Sequence, residues 1–232
     1  DRLENGRTLL GKFSNGMVDG ILNTLPELDE NEAQKLAGGV PLITYRRHRD
    51  APLIIDFAAG TRTALSYLNE LGHRNIAIIP SDSRARHGQA DPCFAAYREQ
   101  LDLSDIPVRV FQAPEGTIQA GYAIADALFN SDATAVLAGN DAVAAGLIQW
   151  AISRGIRLPE RMSIIGHDDS PLAAMTFPPL TSLRLPIGPI AAHTVQVLMH
   201  AIDPAEAMPE ALVLIPELII RNSTSPVSSA TN

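Results

Sequence analysis

Met162-Ser163-Ile164-Ile165-Gly166-His167-Asp168-Asp169-Ser170-Pro171, continuing through Phe177-Pro178-Pro179-Leu180-Thr181-Ser182, is the stretch that decides the fold. An uncharged run from Met162 to Ile165 bounded by a glycine describes a strand covered on both faces. That is the state of a central strand in a parallel sheet, where helices on either side remove any need for polar alternation. The pattern predicts that the strand breaks at Gly166, that Asp168 and Asp169 stand in the loop beyond its carboxyl end, and that a second extended run follows. Open α/β sheets take their ligands outside the carboxyl ends of the strands. Neighbouring side chains on extended backbone point to opposite sides, so at most one of the two carboxylates faces a ligand squarely. Asp168 is the expected one, and Asp169 is expected to tie down a turn in which Asp, Ser and Pro are typical residues. The competing reading is that both are solvated loop acids.

Working outward, helix and strand alternate along the chain. Amphipathic spacing at Leu3, Leu9, Leu10 and Phe13 predicts a helix over 3–15, followed by a strand over 18–22 and a helix over 29–37 that Gly38-Gly39 ends. Strands are expected at 41–44, 52–56, 75–79, 108–111 and 133–137. Helices are expected at 59–71, 93–101, 117–129 and 141–154, with Gly72 as a cap. After the Pro-Pro turn come a strand over 181–185, a helix over 189–202 and strands over 212–215 and 218–221. The fold class is therefore α/β, with one doubly wound parallel sheet or two in series. The tail from Ser223 to Asn232, rich in Ser and Thr, is expected to fray.

With 232 residues, 46% of them apolar, the chain can bury a sizeable core. Eighteen basic against 26 acidic residues leave a net charge of -8, which suits duplex DNA poorly, since that binding rests on neutralising phosphates. Any DNA contact must come from elsewhere. Cys93 is the sole cysteine, so no intrachain disulfide forms, in keeping with a reducing cytoplasm. No apolar run is long enough to cross a bilayer as a helix.

The six histidines form no H-E-x-x-H pair, and neither a G-x-S-x-G elbow, a P-loop nor a G-x-G-x-x-G is present, so neither catalysis nor a cofactor is expected. A metal site is not expected either, because the adjacent His167, Asp168 and Asp169 diverge.

Ile165-Gly166-His167-Asp168-Asp169-Ser170-Pro171 followed by Pro178-Pro179-Leu180-Thr181-Ser182-Leu183 resembles the G-(F/Y)-D-D … P-P-L-T-T signature of the LacI/GalR family of transcription regulators. Val18-Asp19-Gly20-Ile21, Leu71-Gly72-His73-Arg74-Asn75-Ile76-Ala77, Asn140-Asp141 with Ala145-Gly146, Ile156-Arg157-Leu158-Pro159 and Glu217-Leu218-Ile219-Ile220-Arg221-Asn222-Ser223-Thr224 match further motifs of that family in the same order. The resemblance runs end to end.

It implies a periplasmic binding protein-like type I core of two lobes joined by three crossovers. Residues 1–71 with 186–213 would form the amino-terminal lobe, 72–185 with 214–226 the carboxyl-terminal lobe, and 227–232 a flexible tail. On that plan the first lobe lacks its first strand, first helix and second strand. It also lacks the helix-turn-helix headpiece that reads DNA in the family, so a fragment is expected. A small polar effector, sugar-like, would bind between the lobes at Asp168 and Asn140, altering operator affinity through the headpiece. Asn140 has a second reading as a plain helix N-cap.

The family's ligand-gripping arginine falls on Cys93, which cannot make a bidentate contact, so either Arg84 or Arg86 of the preceding loop substitutes or the ligand is not the usual sugar. Gly116 stands where many relatives carry a stacking aromatic, and Tyr45 begins a basic loop, 45–50, after a strand. A thiol near Arg84, Arg86 and His87 could sense oxidants, although a lone cysteine usually only packs. Homodimerisation is implied by the resemblance, with Leu172, Met175 and Phe177 as an apolar part of the interface, against the reading that they cap the core. A periplasmic sugar-binding protein of a transport system is the competing functional reading, with the same two-lobed plan.

Overall fold

The computed structural model describes residues 2–13, 16–24, 28, 30–44, 53–80, 96–99 and 109–227. They divide into two units. The first comprises residues 1–55 with 186–214, the second residues 56–185 with 215–232.

In the first unit the described elements are α1 (Arg2–Phe13), β1 (Ile21–Asn23), α2 (Glu30–Leu36), β2 (Leu42–Thr44), β3 (Leu53–Ile55), α7 (Ile187–Ile202) and β9 (Leu212–Leu214). β1 runs parallel to β2, and β3 runs parallel to β9. Leu10, Ile21, Leu28, Ala33, Ala37 and Leu42 bury together, which gives α1 and α2 their apolar stripe. α2 ends where Gly38 and Gly39 take φ of 60° and 94°, a left-handed stop that residues with a Cβ adopt only at a cost.

The second unit holds a six-stranded sheet in the order β10-β8-β7-β6-β4-β5, with β4 (Ile76–Ile79), β5 (Arg109–Val110), β6 (Ala135–Ala138), β7 (Ser163–Asp168), β8 (Thr181–Arg184) and β10 (Glu217–Ile219). The neighbours from β8 to β5 are parallel, whereas β10 lies antiparallel on the edge. That edge departs from the all-parallel expectation.

Every residue of β4 and β6 is buried, and alternation assigns them to two cores. Ala77, Ile79, Val136, Ala138 and Ile164 meet Leu128, Val143, Leu147 and Trp150 of α4 (Ile118–Phe129) and α5 (Asp141–Ser153) on one face. Ile76, Ile78, Ala135, Leu137, Ile165 and Leu183 meet Ala64, Leu65 and Leu68 of α3 (Phe57–Glu70), together with Tyr97, on the other. Two covered faces explain the continuous apolar runs. α4 and α5 approach so closely that a Cβ on Gly121 would overlap the Val143 carbonyl, and one on Gly146 the Ile118 carbonyl.

Three expectations are corrected. β7 does not break at Gly166 but continues to Asp168, because Gly166, His167 and Asp168 go on pairing with Ser182, Leu183 and Arg184. Residues 56–71, expected in the first lobe, belong to the second unit, since the apolar face of α3 packs on the same core as Ile76 and Ile78. Residues 223–227 of the closing segment are not frayed, and 228–232 lie outside the described residues. The buried Ser223 hydroxyl donates to the Ile164 carbonyl at 2.6 Å and accepts from the Thr181 amide at 2.8 Å, while the Val227 amide, placed in the tail, donates to the Leu71 carbonyl at 2.9 Å.

Candidate functional site

At the carboxyl end of β6, Asn140 takes extended backbone and its side-chain oxygen accepts from the Val143 amide at 2.8 Å, capping α5 as Asn favours. Its amide nitrogen donates to the Gly116 carbonyl at 3.2 Å. A Cβ on Gly116 would stand 2.5 Å from that nitrogen, so an aromatic there would displace Asn140. The sequence placed both residues at one site, and the structure brings them together. Both polar ends of Asn140 are engaged within the chain, as its capping role requires.

Asp141, the first residue of α5, is buried beneath the turn that follows β7. One carboxylate oxygen accepts from the Ser170 amide at 2.6 Å and its hydroxyl at 2.8 Å, the other from the Ser182 hydroxyl at 2.6 Å. Burial pushes its pKa up, these hydrogen bonds pull it back in part, and the nearby Asp168 charge adds to the rise. Gly166 makes room for it, since a Cβ there would overlap an Asp141 oxygen. The only local signal for this role was an acid one residue after a cap.

Asp168 and Asp169 part company as expected. Both have left-handed backbone, with φ of 103° and 49°. Strain of this kind costs on the order of 1–3 kcal/mol per residue and persists only where surroundings enforce it. The surroundings here are the Asp141 bonds to Ser170 and a bond from the Asp169 amide to the Ser182 hydroxyl at 3.1 Å. The Asp169 carboxylate, 4% exposed, is held by Arg184 Nε and an Arg221 terminal nitrogen, both at 2.7 Å. Burial opposes its charge, but the paired guanidinium groups of Arg221 and Arg184 outweigh that and lower its pKa. The Asp168 side chain is 46% exposed. Arg184 escaped the sequence reading, and Arg221 entered it only as part of the closing motif.

His167 Nδ1 lies 3.2 Å from Asp168 Oδ1, and the buried imidazole packs on Phe57 with centroids 5.4 Å apart. Phe57 opens α3, whose cap is Asp56, accepting from the Ala59 amide at 2.8 Å. This corner therefore presents one accessible carboxylate on a rigid base, suited to accepting hydrogen bonds from a polar ligand. Among the described residues, no three His, Cys, Asp or Glu side chains gather as a metal would require.

Tyr45, Arg84, Arg86 and Cys93 lie outside the described residues. Met175 and Phe177 flank the end of the short helix α6 (Pro171–Met175) and are 79% and 81% exposed, with Leu172 half-buried. Met175 and Phe177 do not cap the core.

Residues 65–224 match the family model of the periplasmic binding protein-like domain. The HTH-type transcriptional regulator MalR of Streptomyces coelicolor is 33% identical over 197 residues, covering 82% of this chain and 57% of the regulator. The chain thus spans little more than half the length of that relative. The crystal structure of a LacI family transcriptional regulator from Mycobacterium smegmatis superposes with a TM-score of 0.77 at 27% identity, covering 97% of this chain and 85% of that one. A LacI family regulator from Enterococcus faecium, solved with bound ribose, gives 0.83 at 24% identity over 96% and 85% of the two chains and speaks for the fold alone. All three are transcription regulators by name; none is named as a transport component. The chain belongs to the periplasmic binding protein-like domain family, in the form carried by LacI-family transcriptional regulators.

Proposed function

We propose that this chain is the effector-sensing and dimerising core of a transcription regulator, with Asp168 accepting hydrogen bonds from the hydroxyls of a small, neutral, sugar-like metabolite. The observation that carries this reading is the pair of carboxylates at the end of β7. One is buried and clamped by two arginines, and the other is strained, exposed and held outward. A turn kept left-handed by a buried network is characteristic of a site whose shape matters.

The reaction is binding without bond making. Effector and operator affinities are then coupled by about 1–3 kcal/mol, and reciprocally. With a net charge of -8 the chain itself is a poor partner for duplex DNA, so operator contact falls to a DNA-reading segment elsewhere in the regulator, acting in the cytoplasm. Met175 and Phe177, large and exposed, are the apolar contacts of the homodimer, with Leu172 beside them.

Calorimetry with D-ribose and a panel of neutral mono- and disaccharides tests this reading. Wild-type protein is expected to bind at least one, and Asp168→Ala to lose at least tenfold in affinity. Affinity unchanged by that substitution would remove Asp168 from the site.

A further inference from the structure

The strand position before the carboxylate pair holds an imidazole, where the resemblance leads one to expect Phe or Tyr. We infer that His167 is a positioning residue that fixes the Asp168 carboxylate for its ligand. The inference rests on the reading that Asp168 contacts the effector.

Side chains of neighbouring strand residues ordinarily diverge. At Asp168 the backbone φ of 103° turns the carboxylate back, and Oδ1 comes within 3.2 Å of His167 Nδ1. The imidazole is held on two sides. It is buried, packs on Phe57 at 5.4 Å with the rings tilted by 34°, and its residue pairs with Leu183 in β8. An N–H on a ring so fixed is a preset donor. It engages one oxygen of a carboxylate that stays 46% exposed, so the rotamer is chosen before the ligand arrives and less ordering is left for binding to bring about. Phe or Tyr would preserve the packing on Phe57 and lose the donor at Nδ1.

Among the described residues, the charged groups on the surrounding elements have partners of their own. Asp56 accepts from the Ala59 amide, Asp141 from Ser170 and Ser182, and Arg184 and Arg221 hold Asp169. Asp168 is the charged partner that the described contacts place on the Nδ1 side of the ring.

The test has two arms. In the first, the His167 ring is followed by NMR through a pH titration without ligand, in wild-type protein and in Asp168→Asn. Removing a carboxylate from hydrogen-bond distance is expected to lower the titration midpoint by at least about half a unit, and an unchanged midpoint overturns the inference. In the second, binding of D-ribose and the same saccharide panel is measured for His167→Phe, which keeps a ring on Phe57 but donates nothing, and for His167→Asn, whose amide nitrogen can replace Nδ1. Phe is expected to weaken affinity roughly tenfold, the scale of one lost hydrogen bond to a charged group, and Asn to recover most of it.

If Asp168→Ala weakens binding but His167→Phe does not, the inference fails alone. If Asp168→Ala itself is silent, the binding-site reading fails and the inference with it. Should no saccharide in the panel bind, the titration arm decides.

Discussion

β7 has a closed end and an open end. At the closed end, Ser163 meets His73 Nε2 at 2.9 Å, accepts from the Ser225 amide at 3.0 Å, and lies 3.2 Å from the Ser225 carbonyl. The other His73 nitrogen reaches the Thr134 hydroxyl at 2.9 Å. Four chain segments converge there to seal the bottom of the sheet. At the open end a comparable number of polar groups serve a different purpose. Asp141, Ser170, Ser182, Arg184 and Arg221 hold two left-handed residues in place and leave Asp168 outside the network they form. One strand, paired with β6 over its first half and β8 over its second, thus uses hydrogen bonds for stability at one end and for shape at the other.

The largest expected effect separates the two adjacent carboxylates. Asp169→Ala strands two arginines beside a buried site and should cost on the order of 3 kcal/mol in denaturant unfolding. Asp168→Ala should cost about 1 kcal/mol or less, because the carboxylate is half exposed and the backbone strain is already present in the wild type. Equal losses would erase the distinction. Next is Gly166→Ala, which drives a methyl group against the Asp141 carboxylate and, at 2.7 Å, Leu180. About 2 kcal/mol is expected from such crowding, together with weakened sugar binding because Asp141 supports the turn. Ser223→Ala leaves the Thr181 amide without its 2.8 Å acceptor at the closed end. Roughly 1–2 kcal/mol should be lost, with sugar affinity untouched.

The smallest effect is on pH dependence. Burial lowers the His73 pKa from 6.5, partly opposed by its bond to the Ser225 carbonyl. The unfolded chain therefore takes up that proton first, and stability should fall as pH drops below 6.5, levelling off below the folded pKa. Asp169, lowered from 3.8, adds a second loss further into acid, below 3.8. Melting curves between pH 8 and 5 for wild type and His73→Gln check the first window. The wild type should lose more than the variant, and parallel curves would contradict the assignment.

Much of this was legible from local pattern. Apolar runs marked the strands of a parallel sheet, and the pair Asp168-Asp169 was placed at the carboxyl end of one of them. What escaped depends on contacts far apart in sequence. That β7 continues through Gly166 is decided by pairing with Ser182 and by the Asp141 carboxylate pressing on the glycine, neither visible in a run that a glycine interrupts. The Arg184 clamp joins residues 15 apart, and the ordering of the closing segment joins Ser223 to Ile164 across 59 residues. A Ser- and Thr-rich stretch looks unstructured when read alone, and here its hydroxyls complete the sheet. α3 was assigned to the wrong unit for the same reason, since its amphipathic stripe says that it packs but not on which sheet.

The most direct test of the central claim is a pair of calorimetric titrations with the tightest-binding neutral saccharide of the panel, D-ribose being the first, on wild type and Asp168→Asn at matched unfolding midpoints. The account predicts an affinity at least tenfold weaker in the variant, whose side chain keeps its size and loses its charge. Equal affinity with equal stability would show that the open end of β7 holds no ligand at Asp168.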